Sequence, residues 1–269
     1  MTALASLRSH LASFGNALLG YSGGVDSALL AVAGTQALGS ERFLAVIGRS
    51  DSYPEDQYAT AMDIARRFQV PLLEVATAEM ADPDYLANPT NRCYFCRRAL
   101  WEHLSRIAVE RGFDVIIDGT NVDDLTEHRP GRQAGTERSI RSPLAQLRWT
   151  KAMVREASRE LGIPNADAPS SPCLSSRVAY GLRITPARLR QVEEAESYLR
   201  SLGVAGDLRV RHHGDRARLE VEPRHFSTLH ARWDEVRGFF TAAGFTSVEL
   251  DPAGYRRGSL LAAAPAESQ

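Results

Sequence analysis

Three cysteines stand in the sequence. Cys93 and Cys96 form a C-x-x-C pair in NPTNRCYFCRRALWEHL (88–104), and Cys173 lies in PCLSSRVAYG (172–181). Thiols so spaced suit metal or cluster ligation, redox exchange or sulfur chemistry. A second chemistry-bearing stretch, SGGVDS (22–27), joins an apolar run to a helical pattern. Successive N–H groups of such a turn converge on an anion at the positive end of the helix, and a phosphate suits it. Gly23 and Gly24 permit close approach, Ser22 and Ser27 offer hydroxyls, and Asp26 makes sense beside phosphates when a cation such as Mg²⁺ is shared. The stretch is neither a Walker A motif nor G-x-G-x-x-G.

Two further stretches bear on chemistry. In DGTNVDD (118–124), Gly119, Thr120 and Asn121 fit a tight turn, with Asp124 closing the segment. That is an ordinary turn unless it shares a sheet edge with SGGVDS, in which case the two loops build a nucleotide site. In LRVR (208–211), Arg209 and Arg211 share one face of a strand, and Glu220 falls on the same face of its partner. Paired guanidinium groups suit a phosphate, and a solvated, salt-bridged face is the alternative.

The elements that position these residues alternate in type. Apolar runs at 16–21, 42–48, 71–77 and 113–119 read as strands, and 27–38, 54–68, 94–112 and 149–162 as helices. This rhythm predicts βαβ units and a mostly parallel sheet. NADAPSSPCLSSR (165–177) reads as a linker. Beyond it, a helix over 185–203 opens at Thr185 and Pro186, a hairpin spans 207–221 about HHGD, a helix covers about 228–243 and a strand 247–251. The expected organisation is therefore α/β over 1–168 and a smaller α+β domain over 169–269, with a frayed tail. His212 and His213 fall in the hairpin turn and are assigned to no metal.

The 269 residues, 43% of them hydrophobic, can bury a large core, and the net charge of −1 points to no nucleic-acid partner and no membrane partner. No run of about 18 apolar residues and no leader pattern occurs, so the expected location is cytoplasmic. In a reducing compartment three cysteines favour metal, cluster or catalytic roles over crosslinks. A thioredoxin-type pair would open a helix directly after a strand, whereas a polar loop precedes Cys93. A closed zinc site needs four ligands, and neither His103 nor His128 has fitting spacing. Plain helix thiols and a cluster held by Cys93, Cys96 and Cys173 both stay open.

SGGVDS resembles the PP-loop of the ATP pyrophosphatases. The set SGGVDS, DGTNVDD, EHRPGR (127–132), PCLSSRVAYG and RVRHHGDRARLEV (209–221) is similar, over nearly the whole chain, to the LarE family of sulfur transferases. The resemblance implies a PP-loop sheet with helices on both faces. It implies ATP cleaved between its α- and β-phosphates with Mg²⁺, held by Ser22, Gly23, Gly24, Asp26, Ser27, Gly119, Thr120, Asn121 and Asp124, with Asp26 and Cys173 catalytic. The implied substrate is pyridinium-3,5-biscarboxylic acid mononucleotide, met by Ser176, Arg177, Arg209, Arg211 and Glu220, and a homo-oligomeric assembly is implied too. A form with one cysteine gives up the sulfur at the position of Cys173. The added Cys93 and Cys96 match the form associated with a [4Fe–4S] cluster. A tRNA thiolase or a non-enzymatic nucleotide-binding redox sensor are the alternatives, and the first would call for a basic RNA-binding surface.

Overall fold

The computed structural model describes residues 2–126 and 131–262. Residues 127–130 of EHRPGR, with His128, and the tail from 263 lie outside the described residues. Contacts divide the chain into two units: Met1–Ser50, Glu55–Glu79 and Cys93–Ala168 form one, and Asp51–Pro54, Met80–Arg92 and Pro169–Gln269 the other.

In the first unit, strands β1 (Ala17–Gly20), β2 (Phe43–Arg49), β3 (Leu72–Ala76) and β4 (Ile116–Ile117) form a parallel sheet in the order β3-β2-β1-β4. The inner strands β1 and β2 are short apolar runs because both faces are covered, whereas the edge strand β3 is only half-buried and carries Glu74. Leu18, Leu44 and Val46 pack on one face with Trp101 and Leu104 of the helix Arg92–Arg111. On the other face, helix Val25–Leu38 comes so close that a Cβ on Gly34 would meet the Phe43 ring at 2.3 Å. That helix is apolar nearly all round, since helices Ala3–Ala12 and Lys151–Glu160 cover its outer side. The chain steps outward from β1 in two directions, so the topological switch lies between β1 and β4. Open α/β sheets bind ligands at the carboxyl ends of the strands flanking such a switch, and SGGVDS and DGTNVDD are the loops found there.

In the second unit, β5 (Leu208–His212) and β6 (Arg216–Val221) pair antiparallel, and β7 (Ser247–Leu250) lies parallel to β6. Helix Pro186–Ser201, capped by Thr185 with Pro186 at its start, lays Leu199 against Val210, Leu219, Phe240 and Phe245. Three sequence expectations are corrected. The helix expected over 228–243 is two helices, Phe226–Ala231 and Trp233–Ala242, because the chain leaves helical dihedrals at Arg232 (φ −120°), whose guanidinium binds Glu235 in the restarted turn. His212 ends β5 and is buried there instead of lying in the turn. The stretch with linker composition ends in a helical turn, Leu174–Arg177, in which Leu174, Ser175 and Arg177 are buried. Among the described residues no helix is long and apolar enough to cross a membrane.

Candidate functional site

The loop after β1 turns into helix Val25–Leu38 through Gly23 at φ +65°, a left-handed conformation that favours glycine, with Gly24 as N-cap. Ser27 Oγ donates to Gly24 O (3.0 Å) and lies 3.2 Å from Ser22 N and Ser22 Oγ, which folds the loop back on the first helical turn. The first N–H groups of the helix have no intrahelical acceptor. Together with the helix dipole they form an anion-binding end.

Asp26 is the charged group of this turn. Asn121 Nδ2 donates to its Oδ1 (3.0 Å), and Lys151 Nζ lies 2.5 Å from its Oδ2. Asn121 is buried, its own Oδ1 accepting from the N–H groups of Asp123 and Asp124, while Asp124 Oδ2 accepts from Asn121 N. Gly119 is needed for the two loops to meet, since a Cβ there would stand 3.0 Å from Ser27 N. Thr120 gives both its N–H and its hydroxyl to Asp118. Every nucleotide-site residue named from the sequence thus lies in these two loops, and Asn121 and Gly119 join them.

Lys151 was absent from the sequence assignment. Thr150 caps its helix by accepting from Met153 N, and Asp123 Oδ2 accepts from Lys151 N at 2.7 Å, so the side chain is aimed by its own backbone. A signal for it existed: it is the single lysine among 32 basic residues. In a chain that otherwise uses arginine, a compact ammonium beside a phosphate loop marks a site that wants a point charge.

Cys93 and Cys96 lie one turn apart at the start of helix Arg92–Arg111, the first exposed and the second half-buried, and belong to the first unit. Arg97, next to Cys96, lies 3.6 Å from Asp118. Cys173, half-buried, precedes the turn Leu174–Arg177 in the second unit. All three are thiols. Among the described residues no three His, Cys, Asp or Glu side chains are grouped to hold a metal ion.

In the second unit, arginines hold the backbone around Cys173. Arg177 binds Glu196 through two bonds of 3.0 Å and also donates to Pro172 O, to Cys173 O (3.1 Å) and to Ser176 Oγ (3.1 Å). Arg211 donates to Ser176 O (3.0 Å) and to Glu220 (2.9 Å), with Ser259 Oγ bonded to the same carboxylate. Arg209 donates to Ser170 O (2.6 Å) and lies over the Tyr255 ring. Arg209, Arg211 and Glu220 are only 3%, 6% and 0% exposed, so this face is not a solvated one. Burial raises the Glu196 carboxyl, but the pairing with Arg177 and the N–H of Val210 outweigh it and hold it below the usual range. Burial, and then the neighbouring Arg177 charge, lowers Arg209, which forms no salt bridge among the described residues. Arg177 and Arg211 are paired with the buried carboxylates Glu196 and Glu220, whereas the buried guanidinium of Arg209 has no carboxylate partner among the described residues, a charge suited to an anion.

This fold and loop geometry define a PP-loop domain, and residues 4–84 match the NAD synthase family. Over 259 residues the chain is 30% identical to the pyridinium-3,5-bisthiocarboxylic acid mononucleotide synthase of Lactiplantibacillus plantarum, covering 96% of this chain and 94% of that one. The chain belongs to the family of that synthase, the LarE family. It is also 41% identical to an uncharacterized protein of Synechocystis, covering 96% of both chains. An uncharacterized protein of Methanocaldococcus jannaschii is 29% identical over 89% of this chain and 90% of its own.

Proposed function

We propose that the protein is an ATP-dependent sulfur transferase that converts carboxylates of pyridinium-3,5-biscarboxylic acid mononucleotide to thiocarboxylates for the nickel-pincer nucleotide cofactor. The observation that carries this reading is the convergence of Asp26, Asn121 and Lys151, from three separate elements, on the anion-binding end of one helix, in a chain whose relative of known product makes the bisthiocarboxylic acid mononucleotide. Family membership also supports a cytoplasmic setting and assembly from several copies.

Two balanced steps make up the chemistry. A substrate carboxylate oxygen attacks the α-phosphorus of ATP, forming an acyl adenylate and releasing pyrophosphate. Hydrosulfide then adds to the acyl carbon, AMP leaves with the original oxygen, and a proton is released. Adenylation is needed because a free carboxylate repels the nucleophile and oxide is a poor leaving group. The N–H groups of the SGGVDS loop and Lys151 bind the departing pyrophosphate, and Asn121 holds Asp26 in place. The charge of Arg209, backed by Arg177 and Arg211, attracts the mononucleotide phosphate, with Glu220 fixing Arg211 and Ser176 offering a hydroxyl.

A single phosphate-side carboxylate fits the way Mg²⁺ is usually held, by one or two carboxylates plus substrate phosphates, and Asp26 would be its protein ligand. The family resemblance further implies a [4Fe–4S] cluster, for which the thiolates of Cys93, Cys96 and Cys173 would be the ligands of three irons. Such a cluster would supply sulfide from its open iron and spare Cys173. Anaerobic reconstitution with iron and sulfide tests this. The expected result is about four irons per chain, lost in Cys93→Ala. A wild type without iron, and lighter by one H₂S at Cys173 after turnover, would make Cys173 the sulfur donor instead.

A further inference from the structure

Two amide side chains that no catalytic role uses grip consecutive carbonyls of the SGGVDS loop from outside it. Gln57 Nε2 donates to Ser22 O at 2.6 Å, and Asn165 Nδ2 donates to Gly23 O at 2.7 Å. The next carbonyl, Gly24 O, accepts from Ser27 Oγ at 3.0 Å and from Ala28 N at 2.9 Å. Three successive carbonyls are therefore fixed in direction. In a trans peptide the N–H points opposite to the C=O of the same plane, so these bonds also fix the N–H groups of Gly23, Gly24 and Val25, which are turned away from the clamps. Those are the groups that a phosphate meets at this helix end.

The other end of each amide indicates that the donor is the part in use. Asn165 Oδ1 and Gln57 Oε1 are both buried with no hydrogen-bond partner among the described residues. Asn165 is only 7% exposed. A buried acceptor without a donor costs stability, and an apolar side chain of similar shape would not bear that cost. An amide kept at such a place is explained by its single N–H bond to the loop.

We infer that Gln57 and Asn165 are positioning residues that hold the SGGVDS loop with its N–H groups preset for the polyphosphate of ATP. The inference rests on the reading of this loop as the ATP site. Gln57 lies near the start of helix Glu55–Arg67, which follows β2, and Asn165 lies beyond helix Lys151–Glu160. The loop is thus braced by two elements that carry none of its motif.

The test titrates full-length protein with Mg²⁺-ATP and, separately, with adenosine, which lacks the phosphates. Asn165→Leu and Gln57→Met keep the volume but remove the donor without adding charge. Wild type should bind ATP. Each variant should bind it about tenfold or more weakly while binding adenosine as wild type does. Equal loss for ATP and adenosine, or no loss for either, overturns the clamp. If Asn165→Leu does not fold, Gln57→Met decides alone. A wild type that binds no ATP overturns the ATP reading itself, and the clamp with it.

Discussion

The two charged regions of the molecule arrange their charges by opposite means. At the loop after β1, backbone N–H groups at a helix start stand beside one half-exposed lysine, which pairs with the Asp26 carboxylate. Around Cys173, by contrast, three guanidinium groups are buried, and most of their donors already serve the protein's own carbonyls and carboxylates. On the proposed reading, the first region meets a ligand that comes and goes, while the arginines of the second chiefly hold the loop around Cys173. Substitutions should separate the two: changes in the first should appear in turnover, and changes in the second first in stability.

The largest effect is expected from Arg177→Met. It leaves Glu196 buried without its cation, and breaking such a pair costs about 3–5 kcal/mol. Urea unfolding should report that loss, and a variant as stable as wild type would mean that the arginines do not hold the Cys173 loop. Lys151→Ala should slow ATP-dependent pyrophosphate release about 10²–10³-fold, as loss of one preset charge-stabilising group does, with little change in the unfolding midpoint. If that midpoint fell as far as for Arg177→Met, the contrast between the regions would fail.

A pH effect sharpens the stability side. Burial, then the charges of Arg188 and His213, push His212 down from 6.5 to about 4. The unfolded chain then takes up this proton at a higher pH than the folded chain. The resulting stability is complete above about pH 6.5 and is lost as pH falls toward about 4, by roughly 3 kcal/mol in all. Comparing wild type with His212→Gln across that window should show the step in wild type alone. The smallest effect is expected from Thr150→Ala, which removes the cap of the helix that aims Lys151. It should cost about 1 kcal/mol of stability and a small part of the turnover rate.

The first region was largely legible because its motif is local. A strand, a glycine turn and a helix start within a dozen residues carry the SGGVDS loop, and the switch point of the sheet brings DGTNVDD beside it. What stayed hidden comes from far along the chain: Lys151, Gln57 and Asn165 reach the loop only through the order of strands and helices, and no spacing rule links them. The lone lysine was nevertheless a compositional sign. Around Cys173 the alternation in LRVR predicted which residues share a face. Periodicity cannot show that both faces are covered, so the burial of Arg209 and Arg211 needed the structure. Likewise Ser and Pro suggested a linker where Leu174 and Arg177 anchor the chain in the second unit.

The central claim is sulfur transfer powered by ATP. The most direct measurement incubates anaerobically reconstituted protein with pyridinium-3,5-biscarboxylic acid mononucleotide, Mg²⁺-ATP and sulfide, and follows pyrophosphate, AMP and the mass of the pyridinium product together. The account predicts AMP and pyrophosphate in equal amounts and a product in which sulfur has replaced a carboxylate oxygen. Release of ADP and phosphate, or an unchanged pyridinium compound beside AMP-forming turnover, would contradict it.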